Sequence, residues 1–317
     1  MPDLLWPIKW VIELILVTFH NIWTFVGFGP DSGLTWVLTV VGLVLVVRAA
    51  LIPVFVRQIK SQRNMMLVQP ELKKLQNKYK GKNDRDSREK FAREQMELYK
   101  RTGSNPLSSC LPLLLQMPIF ISLFFVISDA QNNRTGVGLL NADLAESFRE
   151  ASFLSAKLSA TFISTFDDGF DGESVWAVRI LAAVMVVLMS ASQFITQKQI
   201  MAKNQNPDVQ NSQFMQTQKI LLYVLPFVFL ISGVSFPLAL VTYWLTSNIW
   251  TMVQQFIVIR NMPTPGSLAY KERQARLAKK GKLKIEEGTS EETDAEPEKP
   301  TGQRQQPVNK SRRKKKK

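Results

Sequence analysis

The sequence predicts an all-α polytopic membrane protein with five transmembrane helices, a cytosolic helical hairpin and an N-terminal interfacial helix. Three observations carry that reading. Apolar residues gather in blocks long enough to cross a bilayer, while charged residues gather between them. The segments between the blocks alternate in charge. One of those segments repeats its apolar residues at three- and four-residue spacings, the period of a helix face. Averages conceal the pattern: 45% hydrophobic residues and a mean hydropathy of −0.03 would suit a soluble chain.

A hydrocarbon core of about 30 Å needs roughly 20 helical residues. Residues 33–56 supply a first span, 107–128 a second and 175–196 a third. The apolar run from Ile220 to Ile259 would reach about 60 Å as one helix, twice that thickness. It must turn back, and "SGVSFP" (Ser232 to Pro237) supplies a glycine and a proline for the turn. A fourth span then covers 219–233 and a fifth 237–259. Residues 1–32 form an extracytoplasmic amphipathic arm. Lys9, Glu13, His20 and Asn21 interrupt its apolar pattern, and Trp6, Trp10 and Trp23 suit headgroup depth. A helix lying flat on the membrane fits this arm; a cleaved leader and a sixth span are the alternatives.

Orientation follows the lysine and arginine balance. Residues 57–106 are strongly basic, and 260–317 carry a second basic excess. Residues 129–174 are acidic, with Asp143, Glu146, Glu150, Asp167, Asp168, Asp171 and Glu173 against Arg134, Arg149 and Lys157. Basic segments stay in the cytosol. The N-terminus is therefore expected outside, the acidic loop outside, and the loop 197–218 and the C-terminus inside.

The basic segment 57–106 reads as a helical hairpin. Met65, Val68, Leu72, Leu75 and Tyr79 follow the spacing of a coiled-coil seam. "KGKNDRDS" (Lys80 to Ser87) breaks that helix and offers Asp and Ser caps to the next, which runs to about Arg101. Such a hairpin is either a self-contained surface element or a docking arm. Beyond Arg260 hydrophobic periodicity ends. "YKERQARLAKKGKLK", with Lys279 and Lys280, reads as a basic helix, and the acidic stretch after it is too polar to build a core. The terminal "KSRRKKKK", with Arg312, Arg313 and Lys314, is a site of strong positive potential for anionic lipid or RNA.

Composition narrows the chemistry. One cysteine, Cys110, forbids an internal disulfide and a multi-cysteine zinc site, and one histidine, His20, excludes a paired-histidine motif. No phosphate loop, nucleophile elbow or paired-glycine fingerprint occurs. No catalytic residue, metal or cofactor is expected, and the chain does not read as an enzyme. Arg48 is the one charge well inside a span, where insertion costs about 2.5–3.5 kcal/mol. No span holds an Asp or Glu to pair with it. It must face water or polar groups inside the bundle. Candidates are Ser108, Ser109 and Gln116 in the second span, Ser190, Ser192 and Gln193 in the third, and Thr242, Tyr243, Thr246, Ser247 and Asn248 in the fifth. Each alone reads as a helix cross-link. Together with Arg48 they describe a wet, positive cavity within the membrane.

Three motifs appear in order: "VQPELKKLQNKYK" after the Arg-bearing span, "NPLSSCLPLLLQMPIFISLFF", and "FPLALVTYWLTSNIWTMVQQ". Together they resemble the YidC/Oxa1/Alb3 membrane protein insertases, in the shorter form found in Gram-positive bacteria. The likeness covers most of the chain except the tail. Departures are small: serines stand at Ser108 and Ser109, and alanine at Ala239, where the family often has glycine. The resemblance implies a hydrophilic groove open to the cytosol and to lipid but closed outside. It carries the groove arginine onto Arg48 and an aromatic pair of the last span onto Tyr243 and Trp244; with the polar candidates Gln116, Gln193 and Asn248 these are the expected groove residues. It implies nascent membrane proteins as passengers in a bacterial plasma membrane. Its implied partners are the ribosome, the Sec translocon, the signal recognition particle pathway and anionic lipids. A secondary transporter or channel is the competing reading. It would want an intramembrane acid or an inverted repeat, and neither is present in the sequence.

Overall fold

The computed structural model describes residues 4–82, 84–103, 111–132, 134–167, 174–203 and 213–279. Helices dominate them: α1 (Trp6–Val26), α2 (Gly33–Tyr79), α3 (Arg85–Arg101), α4 (Leu111–Gln131), α5 (Ala142–Glu150), α6 (Ser174–Lys203), α7 (Gln213–Gly233), α8 (Leu238–Asn261) and α9 (Leu268–Lys279). A two-stranded antiparallel hairpin, β1 (Ser152–Phe153) and β2 (Ala156–Lys157), and a 3-10 turn (Ile163–Phe166) complete the described elements. The chain divides into two compact units, Met1–Arg276 and Leu277–Lys317. Of the second, only the last turn of α9 is described.

The first span and the first hairpin helix are one element. α2 runs unbroken for 47 residues, about 70 Å. No glycine or capping signal stands near residue 57, and the residues there are good helix formers. Pro53 and Pro70 sit inside it. Each removes one backbone N–H and frees one carbonyl without ending the helix. Two ends of the bundle can then be named: the hairpin end, where α2 continues to α3, and the loop end, where residues 132–173 connect α4 to α6.

Among the described residues, four helices are long and apolar enough to cross a bilayer by length and composition: α1, residues Gly33–Ser61 of α2, Leu114–Gln131 of α4, and α6. The fourth and fifth expected spans correspond to α7 and α8. In α7 the apolar run begins at Ile220 and continues to Ile231, of which Leu222–Gly233 is the part whose side chains are described without a break. α8 is long enough but carries Thr242, Tyr243, Thr246, Ser247 and Asn248 in its first half. Much of that polar surface is turned inward, since Thr242, Tyr243 and Ser247 are buried. α8 packs on α2, α4 and α6, and α6 also packs on α7. The outward faces are apolar: Val184, Val187 and Leu188 of α6, and Phe227, Val228 and Ile231 of α7, stand exposed. Such a surface is suited to lipid.

The loop end is a packed lid. α5 starts at Asn141, whose side chain accepts the Leu144 N–H at 2.9 Å. Ala145 and Phe148 on its inner face are buried. Trp36 of α2 fixes the lid: its indole N–H donates to Ser147 Oγ at 3.1 Å, and its ring meets Phe148 edge-on at 5.2 Å. The β1–β2 hairpin turns through Leu154 and Ser155, both at positive φ. That two-residue turn lacks the usual glycine, which leaves it invisible to sequence patterns. The hairpin backbone lies directly on Gly33; a Cβ there would collide with the Ser152 carbonyl. The carbonyls of Leu158 and Ala160 accept the N–H groups of Ala239 and Leu238, each at 3.0 Å. These bonds satisfy first-turn donors of α8 that have no partner within their own helix. Leu238, Leu240 and Val241 are completely buried beneath this lid.

α1 lies against the same end. Its partners are α2 and α4. His20 stacks on Trp36 with ring centroids 4.5 Å apart, and its Nε2 donates to the Pro30 carbonyl at 2.9 Å. Glu13, 1% exposed, receives the backbone N–H groups of Val137 at 2.9 Å, Gly138 at 2.7 Å and Leu140 at 3.4 Å. Gly136 permits that approach, because a Cβ there would occupy the carboxylate's place. A charged group bound by three amides ties the arm to the loop.

Candidate functional site

Arg48 lies in the sixteenth position of α2, about 22 Å below its loop-end start. It is half-buried. Its Nη2 donates to Ser247 Oγ at 2.5 Å, and its Nε to the same oxygen at 3.2 Å. On the other side the guanidinium stands over the Phe55 ring, 5.5 Å from the centroid. One neutral hydroxyl and one ring face neutralise no charge. The site is thus a cation held by dipoles, with donors left over for a guest or for water.

Tyr243 and Ser247 are one helical turn apart on α8 and share a face. Gln116 of α4 reaches across, its Nε2 donating to Tyr243 Oη at 2.5 Å. Arg48, Ser247, Tyr243 and Gln116 therefore form one polar lining drawn from α2, α4 and α8. Pro53 in α2 and Pro118 in α4 remove the bonds that would cover the Ala49 and Leu114 carbonyls.

Two of the other expected groove residues, Trp244 and Asn248, go elsewhere. Trp244 turns away from Arg48 into an aromatic cluster. It stacks on Phe120 at 4.7 Å and meets Phe236 and Phe229 edge-on at 5.3 and 5.7 Å. One residue along a helix is a rotation of about 100°, so Tyr243 and Trp244 cannot share a face. Asn248 points at α6, its Nδ2 reaching the Met189 carbonyl at 3.5 Å. Gln193 also lies on α6, half-buried. Ser192 and Thr242 bond back to carbonyls of their own helices. Ser108 and Ser109 lie outside the described residues. Ser247 is the residue that sequence reasoning left among many candidates. The signal that singles it out is its i+4 spacing from Tyr243 on the helix facing α2.

The hairpin forms the second component. Met65 and Val68 are buried, and Leu72, Leu75 and Tyr79 half-buried; α3 runs back along the outer part of this stretch, from Tyr79 to Glu71. Tyr79 meets Phe91 edge-on at 5.8 Å. Its hydroxyl donates to Glu94 Oε1 at 2.8 Å, and Lys78 Nζ lies 2.8 Å from both carboxylate oxygens. Arg101 bridges to Glu71 at 2.7 Å. The Lys78 ammonium, and then the Tyr79 hydroxyl, hold the Glu94 carboxyl below its ordinary range, and Glu94 in turn raises Lys78. Asp84 caps α3 by accepting the Ser87 N–H at 2.8 Å, which lowers its carboxyl as well. An open groove of about 420 Å³ runs between the helices, floored by Leu75 and Leu98. Of the expected tail contacts, Lys279 ends α9, while Lys280, Arg312, Arg313 and Lys314 lie outside the described residues. Among the described residues no cluster of three His, Cys, Asp or Glu could hold a metal ion.

The fold and lining define a class: a multi-pass helical membrane protein with a mid-helix arginine in a polar lining drawn from three helices. The chain belongs to the 60Kd inner membrane protein family, whose model matches residues 27–265. It is 44% identical over 316 residues to a protein of Tropheryma whipplei (strain Twist), covering 99% of this chain and 97% of that one. It is 47% identical over 264 residues to a protein of Streptomyces avermitilis, covering 83% of this chain and 59% of that one. A Bifidobacterium longum protein is 33% identical over 326 residues, covering 98% and 95%. Each of these relatives is named membrane protein insertase YidC.

Proposed function

We infer that the protein is a bacterial membrane protein insertase whose working surface is the Arg48 recess. The observation that carries the reading is a mid-span guanidinium whose hydrogen-bond acceptor is a neutral hydroxyl, Ser247, on a helix whose first turn, with Leu238, Leu240 and Val241 completely buried, lies beneath the lid. The loop end faces outside and the hairpin end faces the cytosol, in keeping with the basic hairpin and the acidic loop. A nascent hydrophobic segment meets the hairpin first. Its short polar tail then enters the recess, where Arg48 attracts acidic side chains and bound water lowers their desolvation cost. The apolar part moves along the outward faces of α4, α7 and α8, where exposed Met117, Phe227 and Val253 offer adaptable contact. Membrane potential assists an acidic tail by about 2.3 kcal/mol per charge at about 100 mV, comparable to the burial cost of one charge. No catalytic step is required, and a long or strongly basic tail should fail.

The ribosome, the Sec translocon and the signal recognition particle pathway fit as suppliers of nascent chains, and the basic tail fits ribosomal RNA or anionic lipid. The test is reconstitution of the full chain into liposomes without another translocon. A single-span substrate with a short acidic N-tail should become protease-protected only in liposomes holding the protein. Protein-independent protection, or protein-dependent uptake of small solutes without insertion, would overturn the reading.

A further inference from the structure

We propose that the cavity where the hairpin-end termini of α6, α8 and the start of α9 meet binds the phosphate headgroup of an anionic phospholipid. This rests on the chain crossing a membrane and does not depend on which side each end faces. The cavity holds about 250 Å³, room for roughly eight waters. Three cations line it: Lys203 from the end of α6, Arg260 from the end of α8 and Arg276 from α9. One carboxylate, Glu272, opposes them. The local balance is therefore two positive charges in excess.

Arg276 is already aimed. Its Nη2 donates to the Arg260 carbonyl at 2.9 Å, which holds the guanidinium across the cavity with further N–H groups free to bond a guest. Among the described residues, neither the Lys203 ammonium nor the Arg260 guanidinium has a protein partner. A flat guanidinium with a second cation beside it suits a phosphate diester, which accepts two parallel hydrogen bonds and keeps one negative charge.

Location selects a lipid over a soluble anion. α6 has 30 residues, about 45 Å, and exceeds a hydrocarbon core of about 30 Å. Its last turn thus reaches headgroup depth. Phe256 lines the cavity, and an exposed apolar stripe of Phe256, Val253 and Ile257 leads from it along α8. Acyl chains can follow that stripe while the phosphate sits among the cations. A bound lipid would then join α9 to the ends of α6 and α8 by charge.

The test uses the full chain purified in neutral detergent, with lipid retention read by native mass spectrometry. Phosphatidylglycerol should be retained at least tenfold over phosphatidylcholine of the same chain length. Lys203→Gln with Arg260→Gln should abolish that preference, whereas Arg88→Gln with Arg93→Gln, an equal charge loss on exposed α3 positions, should change it less than twofold. Glu272→Gln should raise retention about threefold, a gain that misfolding cannot produce. Equal retention of both lipids, equal loss in the two double variants, or no gain from Glu272→Gln would overturn the proposal. So would complete displacement by inorganic phosphate, which marks a free-anion site, or by a short RNA, which marks a polyanion site. Loss of the preference with insertion intact leaves the insertase reading standing.

Discussion

The two ends of this bundle are held by different forces. At the loop end Trp36, Leu238, Leu240 and Ala145 are almost wholly removed from water, and Glu13 is saturated by backbone donors. At the hairpin end a thinner apolar seam, with Leu98 and Tyr99 buried, is flanked by ion pairs, Lys78 with Glu94 and Arg101 with Glu71, whose partners all stand more than a third exposed. Exposed pairs contribute little and exchange easily with solvent. Deep burial therefore fixes one end, while a narrow seam with solvent-screened charge leaves the other more adjustable. The Arg48 lining lies between them, with the packed lid above it. Such asymmetry is what a compartment needs if it is to admit polypeptide from one side only.

Breaking the comparison at Arg48 should have the largest effect. Arg48→Ala should reduce insertion of an acidic-tailed substrate at least tenfold at normal protein levels, while Arg48→Lys keeps most of it; an inserting Arg48→Ala would remove the electrostatic role. Next is the lid. Glu13→Ala strands buried N–H groups and should cost about 3 kcal/mol, read as lowered resistance to denaturant in detergent; unchanged resistance would mean that the arm is not clamped. Ser247→Ala removes the acceptor that orients Arg48 and should slow insertion severalfold with unaltered stability, and Ser247→Thr should restore the rate. The smallest effect belongs to the hairpin. The Glu94 carboxyl is depressed, so its contribution is present above about pH 4.3 and is lost as pH falls through its lower folded value. The Lys78 contribution is present below about pH 10.4 and is lost as pH rises through its raised value. Spin-label distances between α2 and α3 should therefore hold steady between about pH 5 and 10 and lengthen only outside that window. A change between about pH 6 and 8 would contradict the pairing.

The same contrast explains what could be read from sequence. Helical class and span-length blocks are legible because lipid demands long apolar runs, and Pro237 marks the start of α8 because proline favours a helix's first turn. The hairpin seam from Met65 to Tyr79 is legible because its period is that of a helix pair. The β1–β2 turn is hidden because Leu154 and Ser155 adopt positive φ without glycine, in a conformation set by packing on Gly33. The continuity of α2 past residue 56 is hidden because a change from apolar to charged residues alters the solvent and leaves the backbone helical. At the site, Arg48 is legible from its cost in lipid. The division of Tyr243 from Trp244, and of Ser247 from Asn248, needs the rotation of α8 about its axis, which neighbouring helices set.

The central claim is that the Arg48 recess is hydrated from the hairpin end and sealed at the loop end. In a Cys110→Ser background, Ser247→Cys and Leu240→Cys can each be challenged with a membrane-impermeant thiol reagent from either face of sealed vesicles. The account predicts that position 247 reacts from the hairpin side alone and position 240 from neither side. Reaction of position 247 from the loop side, or from neither side, would contradict it.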